Sequence, residues 1–376
     1  RLYFYNSMYT HAVPDIRWFA HRDGQLGILL QTVMGGPASY LKEVTASTLV
    51  EGMSLERAEV SDRDAKIHIN GPVLNAVTRA RLRQQVGYVL SNFSSVNKFE
   101  LTYNGSVVSE DAPTGFQEAP MSPEISKRVV GLEDGKLVIR EDYLSQQPET
   151  TGTESVTDAS DPAINYDGTA LACRSLYFFS GGKGQYLVKN KKMTAPSFDS
   201  FGWLWVAESD GAVRAYNAAS TNEKERSKGI EIPVSWRSGM TFSSLRISHD
   251  GARVVVVGTR DGTAAVVMSG VVRDSSGTPK GFTEPVRVTS SITPRTAVWA
   301  GEQNLVVVND KTGESEVTTL SGEETKFDRL DGVKSVSAAG NTSNMLAHRS
   351  DGSCYVLEER GWNRLNTSTR EMSFAG

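Results

Sequence analysis

The chain has 376 residues, 39% of them hydrophobic and 22% charged, and a formal net charge of −4. That balance supplies ample apolar surface to bury and excludes a disordered polypeptide. Charge is spread evenly, with 11 basic and 12 acidic residues up to position 118 and 29 and 32 after it, so there is no basic footprint for nucleic acid. No apolar run approaches the roughly 18 residues of a membrane span, and no segment reads as a signal peptide.

Taken in order, Leu2–Tyr5 and Ile16–Phe19 read as strands. Gln25–Met34 places Leu26, Leu29, Leu30 and Val33 on one helical face, and Gly35-Gly36-Pro37 stops it, because glycine admits a left-handed cap and proline cannot continue a helix. Two alternating strands, Ser54–Val60 and Ala65–Asn70, flank a turn at Ser61–Asp64. A second helix is predicted over 74–91, carrying Leu74, Val77, Gln85 and Tyr88 at helical steps, and a strand Phe99–Tyr103 runs into Asn104-Gly105. The order β-β-α-β-β-α-β predicts a compact α+β domain over residues 1–108. Pro113, Pro120 and Pro123 then mark 109–123 as a stiff, exposed linker.

The remainder, 124–376, is governed by a recurring turn. Eight Asp-Gly pairs occur, at 23, 134, 167, 210, 250, 261, 331 and 351, where random pairing would give roughly two. Several interrupt β-branched runs, and Asp-Gly supplies the two positive-φ residues of a tight type I′ hairpin. Further tips are expected in Phe178–Val188 and Leu305–Val317. The six tips near 134, 182, 210, 261, 312 and 351 lie roughly 30 to 50 residues apart, irregularly, but centred on the forty-odd residues of a four-stranded blade. This predicts an all-β propeller of about six blades. Cys173 and Cys354 lie in apolar strand contexts and read as buried small hydrophobes, or as a disulfide between distant blades in an oxidising compartment.

Val33-Met-Gly-Gly-Pro37-Ala-Ser-Tyr-Leu41, followed by an alternating strand, a helix containing Gln85 and a strand ending in Asn104-Gly105, resembles the GerMN domain of spore-germination proteins. The chain departs from that pattern at Leu49-Val50 and at Ile67–Asn70, where the strand alternation is kept. A GerMN domain joined to a C-terminal propeller is similar to the LpqB family of actinobacterial lipoproteins. The resemblance implies an extracytoplasmic protein held to the membrane by an N-terminal lipid anchor. It also implies a partner, the extracellular domain of an MtrB-like sensor histidine kinase, and a role in MtrA signalling, the cell envelope and division. The anchor cysteine is expected upstream of Arg1, where the chain opens without an initiator Met.

The residue types that carry catalysis form no recognisable constellation in the sequence. His11, His21, His68, His249 and His348 are scattered, none at i, i+2 or i, i+4 from another, and Cys-x-x-Cys is absent. His68 alternates with Ile67 and Ile69 as an outward strand residue, His249 sits in a turn, and His21 precedes the first helix. Ser95-Val-Asn-Lys98 is a chance match to a nucleophile motif, and Gly181–Gly184 joins two strands instead of opening a helix on a phosphate. Ser197–Trp205 is similar to the Asp-box of sialidase propellers, itself a structural turn. Trp203, Trp205, Trp236, Trp299 and Trp362 read mainly as inter-sheet core. No catalytic, cofactor-binding or metal-ligating residue is therefore assigned from the sequence, no cofactor is expected, and no nucleic acid partner. The expected function is non-catalytic binding; the alternative is a propeller-type enzyme acting on cell-wall glycans or peptides, which a large acidic pocket in the central channel would favour.

Overall fold

The computed structural model describes residues 1–20, 22–152, 155–189, 192–208, 211–309 and 311–375. Contacts divide the chain into two units, Arg1–Pro123 and Glu124–Gly376.

In the first unit, helices α1 (Gln25–Met34) and α2 (Ala76–Leu90) accompany a four-stranded sheet ordered Ser54–Ser61, Asp64–Asn70, Lys98–Tyr103, Ser106–Val107. Its central pair is parallel, and α2 supplies the crossover that a parallel pair needs. A smaller sheet sets Leu2–Asn6 between Ala12–Asp15 and Thr45–Ala46. Leu26, Leu29, Leu30 and Val33 meet Ile67, Ile69, Val86 and Leu101 in one core, so the helical stripe and the strand alternation face each other. Asp62-Arg63 and Asn104-Gly105 both adopt paired positive φ values, closing the expected tight turns. Gln85 is wholly buried: its Oε1 accepts from Thr48 N (2.8 Å), Thr48 Oγ1 (2.8 Å) and Leu49 N (3.1 Å), and its Nε2 donates to the Tyr3 carbonyl (3.2 Å).

One expectation for this unit needs correction. The strand is Ala12–Asp15, and 16–20 is a loop, because Asp15 Oδ2 turns the chain by accepting from Arg17 (2.7 Å) and from Ala38 N (2.8 Å). Most of residues 109–123 are exposed, and the segment is pinned to the first unit at Ala119 and Pro120. Ala119 is fully buried, the Tyr88 hydroxyl donates to its carbonyl, and Ala12 N donates to the Pro120 carbonyl at 3.2 Å. The prolines hold the segment extended, and an extended chain offers its carbonyls to donors on the neighbouring elements.

Among the described residues, the second unit forms six antiparallel sheets. Their innermost strands are Arg370–Phe374, Ser160–Ile164, Ser197–Phe198, Thr241–Ile247, Thr296–Trp299 and Val333–Ala338, each touching the next, and the last touching the first. That cyclic order is a β-propeller. The ring is closed by the C-terminal strand Arg370–Phe374, which pairs with Val129–Glu133 near the start of the unit and completes the first sheet. Apolar side chains fill the seams: Trp205 stacks on Phe282 (5.9 Å), and Val298 and Val306 pack with Val336 and Leu357.

Asp134-Gly135 and Asp261-Gly262 are two-residue turns with both φ positive, as is Gly181-Gly182. The other Asp-Gly pairs serve differently. Asp167-Gly168, Asp250-Gly251 and Asp351-Gly352 lie in longer connections where only the glycine is left-handed. Gly24 caps α1, so that pair is no hairpin, and Asp331-Gly332 joins the fifth sheet to the sixth. Asp210 and His21 lie outside the described residues. Cys173 and Cys354 are free and buried.

Candidate functional site at the centre of the ring

Two β-bulges build the site. In the strand Ser160–Ile164 the register slips between Ser160 and Ala163, and in Arg370–Phe374 it slips between Arg370 and Ser373. Asp161 (φ 50°) and Glu371 (φ 54°) sit in these bulges in the left-handed region, which is strained for a non-glycine residue and re-aims its side chain. The bulges interlock: the Asp161 backbone N–H donates to Glu371 Oε2 at 2.6 Å. His348, from the second strand of the sixth sheet, brings a ring nitrogen to within 4.8 Å of carboxylate oxygens of both residues.

Cations from neighbouring strands complete the cluster. Arg174 Nη2 lies 3.0 Å from Asp161 Oδ2, while Lys334 Nζ stands 3.4 Å from Asp161 Oδ2 and 3.7 Å from Glu371 Oε2. Burial would raise the Asp161 carboxyl, but Arg174, Lys334 and His348 outweigh it and hold the group below the usual aspartate range. Burial pushes the His348 imidazole below its ordinary value. Arg246 faces the same region. Burial lowers it to about 10, and attraction to Asp161 acts against that fall. The centre of the ring therefore carries mixed, largely compensated charge.

A second polar seam lies between the fourth and fifth sheets. Ser248, Asp250 and Arg253 form a buried turn, and Arg253 reaches across to Glu302 Oε2 at 3.2 Å. Two carboxylates share one guanidinium here. Asp250 is held below its usual range although burial opposes this, while burial and repulsion from Asp250 drive Glu302 well above its own. His249 stacks on Tyr166 with ring centroids 4.0 Å apart.

The other sequence candidates are dispersed. Asp199 of the Asp-box-like segment is a structural clasp: Oδ1 accepts from Phe201 N (2.9 Å) and Trp203 N (2.8 Å), and Oδ2 from Trp205 Nε1 (2.7 Å) and Arg273 Nη2 (2.7 Å). Gly181-Gly182 is a hairpin tip, His68 is half-buried between Ile67 and Ile69, and Ser95 is exposed ahead of a strand. Trp205 and Trp299 are buried; Trp203, Trp236 and Trp362 are half-buried. Sequence reasoning missed the Asp161–His348–Glu371 group, whose members come from three sheets and share no local spacing. It also missed Trp18, 78% exposed on the 16–20 loop. In the first unit a cleft of about 450 Å³ opens beside Lys98–Tyr103, where Arg83 covers the Phe99 ring at 4.1 Å and pairs with Glu110 at 2.5 Å.

Residues 144–372 match the family described as the Lipoprotein LpqB beta-propeller domain, and residues 1–109 match the Germane family of sporulation and spore germination. Lipoprotein LpqB of Streptomyces coelicolor is 24% identical over 345 residues, which is 80% of this chain and 54% of that protein. Lipoprotein LpqB of Streptomyces avermitilis is 27% identical over 162 residues, 40% of this chain and 25% of that protein. The chain thus spans about half or less of the curated relatives it matches. Among solved structures, the Cps50 (Swd1) β-propeller domain of Myceliophteria thermophila aligns at 12% identity and a TM-score of 0.42, over 64% of this chain and 82% of that one.

Proposed function

Because the chain belongs to the LpqB lipoprotein family, we propose that it acts by binding, as a membrane-anchored extracytoplasmic protein whose partner is the extracellular domain of an MtrB-like sensor histidine kinase. On this reading it modulates MtrA signalling, with consequences for the cell envelope and division. The observation that carries the proposal is the pairing, in one chain, of a GerMN-type domain with an LpqB-type propeller. A rigid ring that displays its blade-connecting loops suits a docking scaffold.

The charge balance of the ring supports binding over hydrolysis. A carboxyl acting as general acid needs a raised pKa and access to substrate. Asp161 is held low by its cations, and Glu302, although raised, has a buried side chain engaged by Arg253. Purified full chain titrated against the kinase extracellular domain, beside hydrolysis assays on peptidoglycan and glycans, tests the reading. Saturable binding without turnover supports it. Hydrolysis lost on a single carboxylate substitution, with no kinase binding, would favour the enzyme.

A further inference from the structure

The geometry points to a divalent transition-metal site at the centre of the propeller, in which Asp161, His348 and Glu371 are the protein ligands and Zn²⁺ is the best-matched ion. Three observations converge. One ligand atom from each residue lies within 4.8 Å of the other two, a spread that a shared ion at about 2.0–2.2 Å from each would draw together by small side-chain rotations. His348 is only 4% exposed, and its buried Nδ1 has no hydrogen-bond partner of good geometry, although the ring also interacts with the Arg349 backbone. A buried polar atom in that state is costly unless something arrives to bind it or the ring turns to present it. Finally, every contact described for the carboxylates uses one oxygen of each: Oδ2 of Asp161 takes Ser160, Arg174 and Lys334, and Oε2 of Glu371 takes the Asp161 amide and Lys334. An ionised carboxylate offers about four lone-pair sites over its two oxygens, so each group keeps capacity for a cation.

The donor set selects the ion. An imidazole with two carboxylates suits zinc and its first-row neighbours, whereas calcium and magnesium prefer an all-oxygen shell. Arg174 on Asp161 Oδ2 and the Asp161 amide on Glu371 Oε2 would orient the ligands from behind, as outer partners do at metal centres. Lys334 is the competitor. Its ammonium already neutralises both carboxylates, but from 3.4 and 3.7 Å, beyond a good hydrogen bond, and its side chain is 29% exposed, so it has room to swing away. Ion binding would clamp the ring where the first, second and sixth sheets meet, the seam closed by the C-terminal strand.

The test titrates ZnCl₂, with MgCl₂ as the contrast, into metal-stripped chain spanning residues 1–376, reading calorimetric stoichiometry and the propeller melting temperature. One equivalent of Zn²⁺ is expected to bind and raise the melting temperature, with Mg²⁺ ineffective. His348→Gln and Glu371→Gln should each weaken Zn²⁺ binding at least tenfold. Lys334→Met should lower the metal-free melting temperature, tighten Zn²⁺ binding at least tenfold and be rescued thermally by Zn²⁺. The Lys334 variant guards against a trivial loss of fold, since it gains function where the other two lose it. No Zn²⁺ binding to wild type, or binding unchanged in all three variants, would overturn the proposal. Because the readout needs no kinase, its failure leaves the docking proposal standing, and a failure of docking leaves the metal site standing.

Discussion

Asp199→Ala is the substitution whose consequence follows most directly from the geometry. The wild-type carboxylate satisfies two backbone N–H groups, the Trp205 indole and the Arg273 guanidinium, and the side chains of Asp199 and Arg273 are both essentially inaccessible to solvent. Removing one member of a buried ion pair leaves an uncompensated charge at a cost of about 3–5 kcal/mol. The orphaned indole and amides add to this, but not fully, because the loop can relax toward water. A net loss of about 4 kcal/mol in a unit of this size corresponds to a fall of roughly 8–16 °C in melting temperature. Asp199→Asn should recover only part of it: Oδ1 still accepts from Phe201 and Trp203, while a second amide donor confronts Arg273 and Trp205. Differential scanning calorimetry of the full chain reads both. A propeller transition within about 2 °C of wild type in Asp199→Ala would refute the assignment of this turn as a structural clasp.

Gln85→Leu keeps side-chain volume but strands the Thr48 and Leu49 amides in the core, so a loss of about 3 kcal/mol is expected for the first unit, read by urea unfolding of the full chain; a shift below about 1 kcal/mol would contradict the hub role. Burial and repulsion from Asp250 raise the Glu302 carboxyl above its unfolded value near 4.3, so its stabilising contribution is complete below that pH and is lost as pH rises through the raised folded value. Glu302→Gln cannot ionise, and its stability relative to wild type should therefore grow from about pH 4.5 toward neutrality; parallel stability curves from pH 4 to 7 would dismiss the effect. Burial pushes the Cys173 thiol up to about 12 and Cys354 up to about 11. Neither should react with a thiol reagent at pH 8 until the protein is unfolded, and rapid native-state labelling would show that one of them is accessible.

The propeller was legible because its turns are local. Asp134-Gly135, Gly181-Gly182 and Asp261-Gly262 advertise hairpins through residues that tolerate positive φ, and the β-branched runs between them announce strands buried on both faces. The same dipeptide is not specific to hairpin tips: at Gly24 and Gly332 a left-handed glycine serves a helix entrance and an inter-sheet connection. Pro113 and Pro120 signalled an extended segment but not where it lies: whether its carbonyls meet water or Tyr88 and Ala12 is decided by tertiary packing. The candidate site was invisible for a related reason. Asp161 and Glu371 owe their positions to bulges, which have no firm sequence signature without glycine, and His348 joins them only when the C-terminal strand closes the ring.

On the docking proposal, this chain works by binding a sensor kinase. The most direct test is the dissociation constant between the purified full chain and the extracellular domain of an MtrB-like kinase, with Trp18→Ala and loop-charge variants that melt like wild type as probes of the surface. Saturable binding is expected, weakened by about 1–3 kcal/mol in at least one variant whose melting temperature is unchanged. Absence of binding at tens of micromolar protein, with the wild-type fold verified by calorimetry, would contradict it.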